Sequence, residues 1–263
     1  MKLIKVLNIA IQEVIQTQKE GIFISIFIWI LAIILCALYF AHVPFITYFF
    51  DNFLISIKTF LGPTWFAFLF SGIFCGIIPS FLSGISKNSG ISKISKISKN
   101  SGKIKHIIDA IFLFCIFGLT GISCYYMYYI FSIWFGDTNN FLVILQKVLL
   151  DQFIYMPFFS MPIFTNCFYL QEINYDISEY CQNIRQIFFH RWLVMVMNGW
   201  LTWIPLEICV YLFPVNLQLP IMNIFAVMFY TIILVFDKKN EQVSLENNRV
   251  EIRIINENVE NSL

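Results

Sequence analysis

The charged residues of this chain stand at the ends of long tracts that contain none. Residues 21–41, 59–86, 110–136 and 152–171 lack Asp, Glu, Lys and Arg altogether, and 192–236 is broken only by Glu207. A helix rises about 1.5 Å per residue, so about 20 apolar residues cross a hydrocarbon core of about 30 Å. Charged residues make up 13% of the 263-residue sequence and hydrophobic ones 59%, against roughly 25% and 45–50% in soluble domains. A soluble globular enzyme, a disordered chain and a nucleic-acid binder are excluded. The expected fold class is all-α: a polytopic membrane helix bundle.

The tracts place six spans near 22–41, 60–82, 109–135, 150–170, 188–212 and 215–236, the last two divided by a turn at Phe213-Pro214, since proline breaks the helical ladder. With the N-terminus inside, all 17 Lys and Arg except Lys58 and Lys147 fall on one side. Merging the last two spans would move Lys238, Lys239, Arg249 and Arg253 across. The positive-inside rule therefore favours six spans with both termini cytoplasmic. The first apolar run is too long for a signal-peptide core and no small-x-small site follows it, so it reads as an uncleaved anchor.

Four further segments follow. Leu3, Leu7, Ile11, Val14 and Ile15 recur at helical spacing, and 1–20 reads as an amphipathic segment on the membrane surface. The stretch 43–58, rich in Phe and Tyr, closes the first-span unit 22–58 as an interfacial piece. Residues 84–105 repeat Ile-Ser-Lys and Asn-Ser-Gly units, with six lysines from Lys87 to Lys105 and no acid. This loop either clamps anionic lipid, at about 1 kcal/mol per lysine, or is an expanded linker whose charges fix topology. A polar tail fills 237–263. The seven cysteines form no Cys-x-x-Cys and the three histidines lie far apart, so neither a disulfide framework nor a metal site is expected.

Polar groups inside spans are costly and usually face the bundle interior. Asp151 and Gln152 open the fourth span from the outer side, Glu207 lies near the outer end of the fifth, and Gln218 and Asn223 enter the sixth from that end, with Asn198 deeper. These groups either line a water-filled cavity whose charge preference Glu207 and Asp151 set, or act as interhelical hydrogen-bond glue, worth about 0.6–2 kcal/mol per contact. Trp200 and Trp203 fit an interfacial belt or walls of the same cavity. Pro157, Pro205 and Pro214 are expected kinks. Gly72 and Gly76, four apart, and Gly118 and Gly121, three apart, suit close helix packing.

Lys147-Val148-Leu149-Leu150-Asp151-Gln152-Phe153 followed by Pro157 resembles the Lys…Asp-Gln…Pro signature of the Mpv/PMP family of peroxisomal and mitochondrial inner-membrane proteins. Asn198, Trp200, Trp203-Ile204-Pro205-Leu206-Glu207, Tyr211-Leu212-Phe213-Pro214, Leu217-Gln218-Leu219-Pro220, Asn223, Ala226 and Phe229 resemble its closing motif, most closely in bacterial members. The resemblance covers roughly 60–236. Glu207 stands where the family usually has Gln, and Phe229 where it has Trp. The resemblance implies a small integral protein of a bacterial inner membrane, or of a mitochondrial inner or peroxisomal membrane in a eukaryote, acting as a weakly selective channel for small solutes.

The expected function is a channel or transporter-like pore without catalysis or cofactor, lined by Asp151, Gln152, Asn198, Trp203, Glu207, Gln218 and Asn223. The alternative is a non-conducting membrane scaffold. No nucleophile or metal constellation for an enzyme assembles from these residues. The expected partners are the lipid bilayer, anionic lipid at the Lys87–Lys105 loop, and a second copy of the chain in a homo-oligomer.

Overall fold

The computed structural model describes residues 2–82 and 99–231, and among these every regular element is a helix. Helix α1 is Lys2–Phe40. Residues 44–61 form α2, joined from Pro44–Thr47, Tyr48–Leu54 and Ile55–Leu61. Next come α3 (Pro63–Leu82), α4 (Lys99–Phe135), α5 (Phe141–Glu172), α6 (Ile177–Tyr211) and α7 (Val215–Thr231). Five helices carry segments long and apolar enough to cross a membrane: Ile22–Phe40, Pro63–Leu82, Ile104–Phe135, Phe141–Glu172 and Ile187–Tyr211. Helix α7 is apolar but shorter within the described residues. The polar tail and most of the lysine-rich stretch lie outside the described residues.

The surface of this bundle is the reverse of a soluble protein's. Phe23, Ile33, Phe60, Phe81, Ile133 and Trp134 point outward, while Asp151, Gln152, Glu207, Gln218 and Asn223 are buried. Apolar side chains exposed around the whole bundle suit lipid, where polar groups are satisfied internally. The chain is an integral, multi-pass membrane protein.

Three segments differ from the sequence-based expectation. The N-terminal stretch is not a separate surface helix, because the backbone runs unbroken into the first span. Ala10 and Val14 are buried on the stripe that continues as Ile24, Ile28, Ala32 and Cys36, and Glu13 pairs with His190 at 2.8 Å. The fourth helix begins at Phe141 rather than near 150. Asn140 caps it, its side chain accepting from Leu142 N at 2.9 Å. Lys147, expected outside the membrane, is buried with Asp137 at 3.8 Å and the Tyr211 ring at 5.9 Å. A cation with an acid and an aromatic face beside it does not end a helix. Asp151 therefore stands well inside α5, not at its mouth. The end of the lysine-rich stretch, from Lys99, belongs to α4.

Helices α1 and α6 meet along a polar-tipped seam. Ser25 and Thr202 hydroxyls are 3.4 Å apart, and Trp29 Nε1 donates to Thr202 O at 3.0 Å. Helices α3 and α4 meet through their glycines. A Cβ on Gly76 would lie 2.7 Å from Phe114 N, and one on Gly118 2.6 Å from the Phe68 ring. Gly72 faces Phe114, and Gly121 faces Ser71, just as closely. Lipid supplies little hydrophobic force between helices, so this backbone proximity and the dispersion it allows hold the pair.

Polar contacts gather at the two ends of the bundle. At one end Lys105 donates to Asn174 Oδ1, Tyr175 OH to Asp109 Oδ1 at 2.6 Å, and Arg191 to Glu172 at 2.5 and 3.2 Å. Burial, then the Asp109 carboxylate, holds the Tyr175 phenol above its ordinary value. At the other end Tyr39 donates to Asp51 at 3.0 Å and Lys58 to Asn216 at 2.6 Å. Burial pulls the Lys58 ammonium below its ordinary value.

Candidate functional site: a central acidic cavity

Halfway along α5 the helix widens. From Asp151 to Ser160 it is wound as a π-helix, with N–H groups reaching the fifth carbonyl back, and Met161 N at its end still bonds Met156 O. Two prolines sit in this register. Pro157 cannot donate to Gln152 O, five residues before it, and Pro162 cannot donate to Pro157 O. Both carbonyls find donors on the neighbouring helix. Trp200 Nε1 reaches Gln152 O at 2.6 Å, and Trp192 Nε1 reaches Pro157 O at 2.7 Å. Two indoles on α6 thus replace the two amides that proline removes, as freed backbone groups in a membrane require.

The widened segment fronts a cavity of about 410 Å³ at the centre of the bundle. Asp151, Gln152, Asn198, Trp203, Glu207 and Asn223 all line it. Gln218 does not: it is buried elsewhere, its Nε2 donating to Phe213 O at 2.9 Å, across the break where Pro214 separates α6 from α7. Pro205 lies inside α6. Trp203 is a cavity wall, and Trp200 is the donor to Gln152 O; both take part in the interior.

The two carboxylates are each held by a tyrosine. Tyr211 OH donates to Asp151 Oδ2 at 2.9 Å, and Tyr128 OH is shared between the Glu207 oxygens at 3.4 and 3.3 Å. The two rings meet edge to face, 5.4 Å between centroids, so acids and phenols form one cluster with Lys147 behind Tyr211. None of the described residues lining the cavity is basic.

Opposite, Asn223 joins α7 to α3. Its Nδ2 donates to Ser71 Oγ at 2.8 Å, and its Oδ1 accepts from Cys75 Sγ at 3.2 Å. Cys124 Sγ and Tyr155 OH are 3.3 Å apart on the same wall. All seven cysteines are free. Among the described residues no three His, Cys, Asp or Glu side chains are grouped as a metal would need.

A second hollow opens beside the first. It is lined by Glu13, Thr165, His190, Arg191 and Val194, and Phe168 and Met195 line both. Those two side chains separate a charged vestibule from the acidic centre.

Several of these partners were not visible in the sequence. Tyr211 stands one turn after Glu207, a spacing that puts both on one face. Prolines five apart, at 157 and 162, match a π repeat. Nothing along the chain links Tyr128 to Glu207 or Asn223 to Ser71.

No family model, curated protein or solved structure matches this chain.

Proposed function

We propose that this protein is a weakly selective pore for small solutes, with six spans, both termini cytoplasmic, and the acidic cavity as the middle of its passage. The observation that carries this reading is a hollow of about 410 Å³, walled by two carboxylates, inside a bundle whose outer surface is apolar. Helix glue needs no such space. The shared wall of Phe168 and Met195 gives the passage a constriction toward the vestibule. Lys105 and Arg191 make their contacts at one end of the bundle, and Lys58 at the other, which supports the proposed orientation. The motifs that resemble the Mpv/PMP family bring Asp151, Gln152, Trp203, Glu207 and Asn223 to this one cavity, which supports a role in common with that family. The non-conducting scaffold draws support from Asn223, whose amide is committed to interhelical bonds.

Purified protein in liposomes is expected to make them permeable to small neutral solutes and cations more than to anions. Glu207→Gln keeps the side chain's shape and the Tyr128 contact while removing the acid. It is expected to reduce the preference for cations over anions without abolishing neutral-solute flux. Vesicles that stay sealed with folded protein inserted would refute the pore, and an unchanged ion preference would refute the assignment of Glu207.

A further inference from the structure

We propose that the central cavity binds a protonated organic amine with an apolar body; this deepens the pore reading and rests on it for the cavity's access to solvent. Acceptors among the cavity's lining residues are short of donors. Gln152, 2% exposed, is one of the lining residues, and its buried Oε1 has no hydrogen-bond partner among the described residues. An unsatisfied buried acceptor is costly, so the site gains from a ligand that brings it a donor. Asp151 receives one bond, on Oδ2, leaving Oδ1 without a donor among the described residues, and Glu207 receives one shared proton for two oxygens. Three of the donors on the walls are already used within the protein. Thr120 Oγ1 donates to Ile116 O at 2.9 Å, Tyr155 OH to Ser123 Oγ at 2.9 Å, and Asn223 Nδ2 to Ser71 Oγ. A ligand here meets the Asp151 and Glu207 carboxyl groups.

Size and wall chemistry narrow the class. A bare metal ion would leave most of about 410 Å³ to water against methionine and phenylalanine. An anion would meet two carboxylates and no lining cation. An ammonium on a hydrophobic body satisfies both halves of the site. Its N–H groups are directed to Gln152 and the carboxyl groups, and the body lies toward Phe117 and Phe164, whose rings stand 5.1 Å apart.

The test is titration calorimetry on the full-length protein in detergent, with three probes of matched body: 2-phenylethylammonium, its N,N,N-trimethyl analogue and 2-phenylethanol. Saturable binding of the primary ammonium is expected, with the trimethyl compound, which has no N–H, at least about tenfold weaker, because a buried acceptor built for a donor rejects a ligand lacking one. The neutral alcohol is expected to bind more weakly still. Gln152→Leu is expected to erase the difference between the primary and trimethyl compounds, an effect that general destabilisation would not produce. Equal binding of the two cations to the wild-type protein, equal binding of the alcohol, or no saturable binding would overturn the proposal. The wild-type comparisons stand even if the variant fails to fold. Permeability does not enter this measurement. Sealed vesicles with selective amine binding would refute the pore alone, and leaky vesicles without that selectivity would refute the amine site alone.

Discussion

Alanine at both Phe168 and Met195 is expected to raise solute flux through liposomes carrying the protein by about tenfold, equivalent to removing about 1.4 kcal/mol of barrier. These side chains line both the acidic cavity and the vestibule of Glu13, His190 and Arg191. Phe168 stacks on Phe164 with centroids 6.0 Å apart, which fixes the ring across the wall. Cutting both back to Cβ joins two hollows of about 410 Å³ each. Phe168 and Met195 are half-buried, and truncating them also destabilises, by less than the about 2–5 kcal/mol of a fully buried position, so flux is to be compared at equal amounts of folded, inserted protein. Flux equal to wild type from such protein would show that the passage does not cross this wall.

A marked loss of stability is expected from replacing both Trp192 and Trp200 with phenylalanine. Among the described residues, each indole is the donor to a carbonyl that proline leaves open in the π-wound segment, Pro157 O and Gln152 O. An orphaned buried carbonyl costs about 1–3 kcal/mol, so the double variant is expected to lose about 2–4 kcal/mol, since hydrogen bonds inside membranes run toward the low end. Trp65→Phe is the control: its indole is 65% exposed, and little change is expected. Thermal unfolding in detergent reads both. A double variant no less stable than the control would mean that the π segment holds itself open without help from α6.

The spans were legible because hydrocarbon thickness imposes a length on apolar runs, and the C-terminal ends of α1, α3 and α6, at Phe40, Leu82 and Tyr211, follow from it. The start of α5 was hidden by Lys147. A lysine between apolar stretches reads as the edge of a membrane, and only the fold supplies the Asp137 carboxylate and Tyr211 ring that let it be buried. The continuity of α1 was hidden for a similar reason. Helical spacing at Ala10 and Val14 does not say whether the stripe meets lipid or another helix. Polar residues inside spans drew attention to the cavity because burying them is costly. Six of the seven residues expected to line it do so. Gln218 departs because the break at Pro214 leaves Phe213 O without a helical donor, and the side-chain amide fills that place. Which polar group bonds which was beyond reach of spacing, because Tyr128 and Glu207, or Asn223 and Ser71, become neighbours only when distant helices pack.

Whether water and charge reach the cavity is open to direct measurement with two thiols the protein already carries there. Cys75 and Cys124 line the cavity; the other five cysteines would be replaced by alanine and the protein placed in sealed vesicles. A small cationic methanethiosulfonate is expected to modify both thiols in the folded protein, faster than an anionic reagent of the same size, because two carboxylates and no basic side chain face the hollow. Thiols that resist both reagents until the protein is denatured would contradict a water-filled acidic cavity.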